Sequence, residues 1–213
     1  MSKKIRIILC DDHALIRRGV RGMLSDTPDI EVVGEAEDYG SLRQLLRDGV
    51  SCDVLVLDIN LPGRSGLDVL RALGEQGETM RVLVVSMYPE EQYALRALRA
   101  GAWGYLNKGG DTSQLIAAVR MLARGRKYVT PEMAQMLVEN LTQSQQEQMH
   151  ERLSDREMQT LTLIASGKRL TDIAAELSLS PKTVSVYRAR VLEKLGLKNN
   201  SELTVYAIRE GLV

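Results

Sequence analysis

The sequence predicts an α/β fold, a five-stranded parallel sheet covered by helices on both faces, followed by a small all-α domain. Three observations lead there. Short runs rich in Val, Ile and Leu alternate five times with helical spacings from Ile5 to about Arg124. Strand signals stop after Tyr128. From Leu153 onward only four short helical patterns remain, separated by Gly167-Lys168, Ser178–Pro181 and Gly196–Asn200.

The strand candidates are Ile5–Cys10, Ile30–Glu35, Asp53–Asp58, Arg81–Ser86 and Ala102–Leu106. Their length and apolar content suit strands buried between two helical layers. Between them, Ala14–Ser25 carries Leu15, Val20, Met23 and Leu24, and Leu67–Leu73 carries Leu67, Leu70 and Leu73, each set lying on one helical face. Glu90–Arg99 and Thr112–Arg124 are read as the helices flanking the last strand. Beyond Tyr128, Pro131 suits a helix's first turn, and Met133 to Leu141 keep helical spacing. Gln143–Glu151 is then almost wholly polar and reads as a flexible linker. The expected organisation is therefore a first domain over 1–128, a connection over 129–152 that is helical and then flexible, and a second domain over 153–213.

With 213 residues the chain has room for two compact units of unequal size. An apolar share of 44% with 26% charged residues is that of an ordinary soluble protein, and the longest apolar runs are of strand rather than membrane length. The start, Met1-Ser-Lys-Lys-Ile-Arg, enters a strand directly without the apolar core of an export signal, so the protein is expected to stay in the cytoplasm. Cys10 and Cys52 have neither disulfide-framework nor zinc spacing and read as buried reduced thiols. The formal net charge is zero, but residues 153–213 hold 9 Lys+Arg against 7 Asp+Glu, a weak pointer to nucleic acid.

In an open parallel sheet the functional crevice lies at the carboxyl ends of the strands. That rule selects Asp11 and Asp12 after the first strand, Asp58 at the end of the third, Ser86 at the end of the fourth and Lys108 past the fifth. Clustered carboxylates need a cation, and oxygen ligands completed by water and a phosphate oxygen are the usual surroundings of Mg2+. Asp58 then has the chemistry of a nucleophile toward a phosphorylated donor, Lys108 that of an ammonium for the same oxygens, and Ser86 that of a hydroxyl donor. Taken singly, Asp12 is better read as a helix N-cap and Lys108 as a solvated surface charge. Their joint occurrence at successive strand ends is hard to explain that way.

In the second domain Ser154-Asp-Arg-Glu157 forms a capping box, Ser180-Pro181 supplies an N-cap and first-turn proline, and Gly196 closes the helix Pro181–Leu195. On its wheel Val184, Val191 and Leu195 fall together, leaving Lys182, Ser185, Val186, Ala189 and Arg190 opposite. Small residues with cations at their margins suit a major groove, and Leu170–Leu177 with a short turn completes a helix-turn-helix. The pattern alone fits a protein-interaction bundle equally well.

Residues 4–125 resemble the receiver domain of two-component response regulators, through Asp11-Asp12, Asp58 followed by Ile-Asn-Leu-Pro-Gly, Gly66, Ser86 and Gly-Tyr105-Leu-Asn-Lys108. The resemblance implies a flavodoxin-like fold with Asp58 as phosphoacceptor for a sensor histidine kinase. It implies a Mg2+ site of Asp12, Asp11, Asp58 and the Asn60 backbone carbonyl, and a switch of Ser86, Tyr105 and Lys108. Gly109 stands where many receivers have a proline after a cis peptide bond, which bears on the local geometry of Lys108. Leu153-Ser-Asp-Arg-Glu157, Ile173-Ala, Ser180-Pro-Lys-Thr-Val184, Lys194-Leu-Gly196 and Gly211-Leu-Val213 resemble the LuxR/NarL-type DNA-binding domain. Lys168-Arg-Leu-Thr171 departs from its usual Ser-Asn-Lys-Glu run. Nearly the whole chain is thus similar to a NarL/FixJ-class regulator, and Val186-Tyr-Arg188 with Glu202-Leu-Thr204 looks closer to the GacA/UvrY branch. The implied partner is promoter DNA, contacted by Lys182, Thr183, Ser185, Val186, Arg188, Ala189, Arg190 and Lys194, with homodimerisation when phosphorylated or DNA-bound.

Two other readings are weaker. An aspartate-nucleophile phosphatase of the haloacid-dehalogenase type would carry a second Asp as general acid where Asn60 stands. A nucleotide-binding module would carry a glycine-rich turn after the first strand, where Asp-Asp-His stands. The expected protein is a non-enzymatic regulator.

Overall fold

The computed structural model of the chain describes residues 4–142 and 149–213, which form two compact units divided after Thr142. Most of the expected polar linker Gln143–Glu151 lies outside the described residues, and so do the first three residues. The first unit holds β1 (Ile5–Cys10), β2 (Ile30–Ala36), β3 (Val54–Asp58), β4 (Arg81–Ser86) and β5 (Gly104–Asn107), all parallel in the order β2-β1-β3-β4-β5. Its helices are α1 (Ala14–Ser25), α2 (Tyr39–Arg47), α3 (Gly66–Glu75), α4 (Glu90–Arg99), α5 (Thr112–Ala123) and α6 (Pro131–Thr142).

This is a flavodoxin-like sheet, and its burial follows from the crossovers. Ile7, Ile8 and Leu9 are consecutive and all buried, as are all five residues of β3, which only strands covered on both faces allow. Each such aliphatic side chain contributes about 1.5–3 kcal/mol by leaving water. On one face Ile7, Leu9, Val56, Leu83 and Leu106 pack with Leu115, Val119 and Leu122 of α5.

Two strands start later than the sequence suggests, β3 by one residue, at Val54, and β5 by two. The Ala102 N–H donates to the Ala97 carbonyl at 2.9 Å, so Ala102 finishes α4 and β5 begins at Gly104. Of the two cysteines, Cys10 is buried as expected, whereas Cys52 is only half-buried. Helix α6, expected in the connection, packs on α4 within the first unit. Met133 is buried and the Thr130 hydroxyl donates to Glu90 Oε2 at 2.8 Å.

Among the described residues, the second unit holds a 3-10 turn (Met149–Arg152), α7 (Asp155–Ala165), α8 (Leu170–Glu176), α9 (Pro181–Leu195) and α10 (Asn200–Arg209). The capping box is formed as the sequence suggests: the Glu157 N–H donates to Ser154 Oγ, and the Ser154 N–H donates to Glu157 Oε2 at 2.7 Å. Ser180 accepts from the Thr183 N–H at 3.1 Å, and Gly196 ends α9 at φ 66°, a left-handed conformation natural to glycine. Among the described residues, no helix is long and apolar enough to cross a membrane.

Candidate functional site

Parallel pairing aligns the strand ends. β1 and β3 run in register with Cys10 beside Leu57, so Asp11 comes alongside Asp58. β4 places Val85 beside Asp58, and β5 places Asn107 beside Ser86, so Lys108 leaves the sheet directly over the acidic rim. Its N–H donates to the Ser86 carbonyl at 2.7 Å, which fixes the backbone although Gly109 follows.

Lys108 Nζ lies 2.7 Å from Asp58 Oδ2 and 2.7 Å from Asp11 Oδ2, with only 6% of the lysine side chain and 3% of the Asp58 side chain exposed. Burial holds the Asp58 carboxyl up at about 6, against the pull of the Lys108 ammonium, and the Asp11 charge pushes the same way as burial. Burial alone would lower the Lys108 ammonium, but the charges and hydrogen bonds of Asp58 and Asp11 outweigh it and hold it above its ordinary value. The Asn60 N–H donates to Asp58 Oδ1 at 3.2 Å.

Asp12 does not cap α1. The N-cap is His13, whose N–H donates to Asp11 Oδ1 at 2.8 Å, and Asp12 is thereby turned into the crevice. Asp12 Oδ1 is buried without a hydrogen bond, although His13 Nδ1 stands 2.7 Å away outside hydrogen-bonding geometry. Ligand atoms of Asp11, Asp12, His13 and Asp58 all lie within 4.8 Å of one another. Three carboxylates with one ammonium among them, one oxygen buried and unbonded, fit a divalent cation. Sequence reasoning passed over His13. Its signal was adjacency, because a residue after two strand-end carboxylates also starts the helix over the crevice.

Gly66 is a second residue whose importance only geometry explains. Its N–H donates to the Ile59 carbonyl at 2.7 Å, and a Cβ there would stand 2.0 Å from the Asp58 carbonyl oxygen. The start of α3 is thus pressed against the backbone that carries Asp58.

Ser86 and Tyr105, both fully buried, face the loop between β4 and α4. Ser86 Oγ accepts from the Tyr88 N–H at 3.2 Å, and the Tyr105 hydroxyl donates to the Tyr88 carbonyl at 2.7 Å. Ser86 sits at the acidic rim, whereas Tyr105 lies outside the carboxylate cluster. The neighbouring Cys10 thiol is pushed far up by burial and by the Asp11 charge, so it stays protonated.

In the second unit α8, a short turn and α9 form a helix-turn-helix. Val184, Val191 and Leu195 are buried, while Lys182, Ser185, Val186, Ala189 and Arg190 are exposed, as the wheel suggests. Thr183 and Arg188 are half-buried, with Thr183 Oγ1 2.7 Å from Ser180 Oγ and the Arg188 Nε–H donating to Asn200 Oδ1 at 2.5 Å. Lys194 Nζ is held by Glu157 at 2.6 Å. Despite burial, that ammonium and the Ser154 N–H keep the Glu157 carboxyl below the usual range. Lys168, in the departing run, pairs with Glu176.

The chain thus joins a parallel α/β domain, with an acid pocket and a lysine at its rim, to a separate helix-turn-helix unit. Residues 7–120 match the family described as response regulator receiver domain, and residues 151–207 match bacterial regulatory proteins of the luxR family. Response regulator GacA of Pseudomonas protegens is 36% identical over 209 residues, covering 98% of each chain. Response regulator UvrY of Escherichia coli is 34% identical, covering 98% of this chain and 95% of its own. RcsB of Salmonella enterica serovar Typhimurium, solved bound to promoter rprA in the presence of the phosphomimetic BeF3-, is 27% identical with a TM-score of 0.63, covering 96% of this chain and 98% of that one. The chain belongs to the response regulators that join a receiver domain to a LuxR-type DNA-binding domain.

Proposed function

We propose that Asp58 accepts a phosphoryl group from a sensor histidine kinase and that this modification controls binding of promoter DNA by α9. The observation that carries the reading is the buried Asp58–Lys108–Asp11 triad at the carboxyl ends of β1, β3 and β5. An Asp58 oxygen attacks phosphorus, the bond to the donor nitrogen breaks, and the imidazole leaves with its electron pair. The product is an acyl phosphate. Lys108 is placed to meet the phosphoryl oxygens, and Asp11, Asp12 and Asp58, with the Asn60 carbonyl, would hold Mg2+. That ion supplies charge neutralisation for the transferring group. Asn60 stands where a phosphatase of the haloacid-dehalogenase type would carry its general-acid Asp, which favours a product that persists as a signal.

Phosphorylation brings charge of about −1.5 to −2 and new acceptor oxygens to the rim. The Ser86 hydroxyl can then turn toward the phosphoryl group and give up the Tyr88 N–H, while Tyr105 repacks under the β4–α4 loop. The surface between α4 and α5 is the one altered, and dimerisation on two DNA half-sites follows. The proposed boundaries are a receiver over 1–128, a connection over 129–152 and a DNA-binding domain from 153, all acting in the cytoplasm.

On α9, Lys182 and Arg190 flank the exposed face as phosphate contacts, and Ser185, Val186 and Ala189 meet base edges. Thr183, Arg188 and Lys194 lie on the same helix as further contacts, with side chains that also bond Ser180, Asn200 and Glu157. Lys182→Ala and Arg190→Ala should each weaken binding to all sequences and reduce the salt slope by about 1. Val186→Ala should instead change base preference at single positions, by about 1–3 kcal/mol. Fluorescence anisotropy on cognate and shuffled duplexes checks this. Equal loss on both duplexes for Val186→Ala would remove its base-reading role.

A further inference from the structure

The imidazole of His13 enters the carboxylate cluster. Nδ1 lies 2.7 Å from Asp12 Oδ1, 3.5 Å from Asp11 Oδ1 and 4.0 Å from Asp58 Oδ2, while 54% of the side chain is exposed. The residue is the N-cap of α1, yet its side chain makes no capping hydrogen bond. The ring therefore neither fills a core nor closes a helix. It faces the one buried carboxylate oxygen of the pocket that accepts no hydrogen bond, Asp12 Oδ1. A ring nitrogen and three carboxylates each offer a ligand atom within 4.8 Å of the others.

We infer that His13 is a metal ligand, and that it gives this pocket a preference for borderline first-row divalent cations of the Co2+, Ni2+ and Zn2+ class over Mg2+. The chemistry is that of donor type. Mg2+ is hard, takes oxygen donors and keeps several waters, so it gains little from an imidazole. The borderline ions gain a strong nitrogen bond in addition to the same carboxylates. A site of Asp11, Asp12 and Asp58 serves either class of ion, and His13 adds affinity for only one. The inference rests on reading the carboxylates as a cation site, and the test separates the two.

The probes are Mg2+ and Co2+, titrated calorimetrically into the full chain and its His13→Ala variant, with the visible spectrum of bound Co2+ as a second readout. The half-exposed ring caps nothing, so the variant should fold, and its thermal melt confirms that. His13→Ala should lower Co2+ affinity about tenfold and alter the Co2+ spectrum, while Mg2+ affinity changes less than about threefold. An unchanged Co2+ affinity, or an equal loss for both ions, overturns the inference and leaves the cation site standing. If neither ion binds the unmodified chain, the site and the inference fall together.

Discussion

Asp58→Asn should leave no acyl phosphate after incubation with a small phosphodonor and Mg2+, where the unmodified chain gains a single adduct visible by mass spectrometry. Asp58 ends β3 and is the carboxylate bonded to both the Lys108 ammonium and the Asn60 N–H, so no neighbour replaces it as nucleophile. Labelling of the variant at the original rate would contradict the assignment. The same variant should be the more stable protein at pH 7. The folded Asp58 carboxyl is held up at about 6 against an ordinary 3.8, so the folded domain keeps a proton that the unfolded chain releases. Stability from this group is present below about pH 4 and is lost as pH rises through about 6. That gap corresponds to about 3 kcal/mol, of which the neutral amide should recover about 1 to 2 kcal/mol. Urea denaturation should show the gain at pH 7 and lose it near pH 4.

Gly66→Ala should cost more stability than any conservative change at the rim. The added Cβ would stand 2.0 Å from the Asp58 carbonyl oxygen and 2.8 Å from Ile59 Cα, both backbone atoms that cannot rotate away. Relief requires α3 to withdraw or the Asp58 segment to shift, at about 3 kcal/mol or more. The midpoint of thermal unfolding should fall by roughly 10 °C, with slower labelling of Asp58. Gly74→Ala is the control, because α3 leaves nothing within 4 Å of a Cβ there, and it should stabilise by about 0.5–1 kcal/mol. Equal melting of the two variants would contradict the close contact.

The parts of this molecule legible in its sequence are those set by local chemistry. The runs of Val, Ile and Leu gave five strands, and the strand-end rule gathered Asp11, Asp12, Asp58, Ser86 and Lys108, because parallel pairing aligns strand ends whatever lies between them. Ser154, Ser180 and Gly196 marked helix limits because caps are local. Ala102 misled, since its backbone is spent on closing α4, a tertiary choice that an apolar run does not reveal. Gly66 and His13 needed coordinates for the same reason. The first matters through a backbone distance across a loop, the second through the turn that aims its ring. The resemblance gives Lys194 as a DNA contact, and only the coordinates reveal its ion pair with Glu157.

The central claim is that chemistry at Asp58 governs DNA binding. To move from mostly inactive to mostly active, phosphorylation must favour the active state by roughly 5.5 kcal/mol, less where dimerisation and DNA share the bias. Sedimentation of the unmodified and phosphorylated chain, with and without promoter DNA, tests this most directly. The account predicts that phosphorylation shifts a mainly monomeric chain to a dimer and tightens its hold on DNA with two half-sites. Oligomeric state and DNA affinity both unchanged by phosphorylation would contradict it, and would leave a constitutive DNA binder with a vestigial receiver.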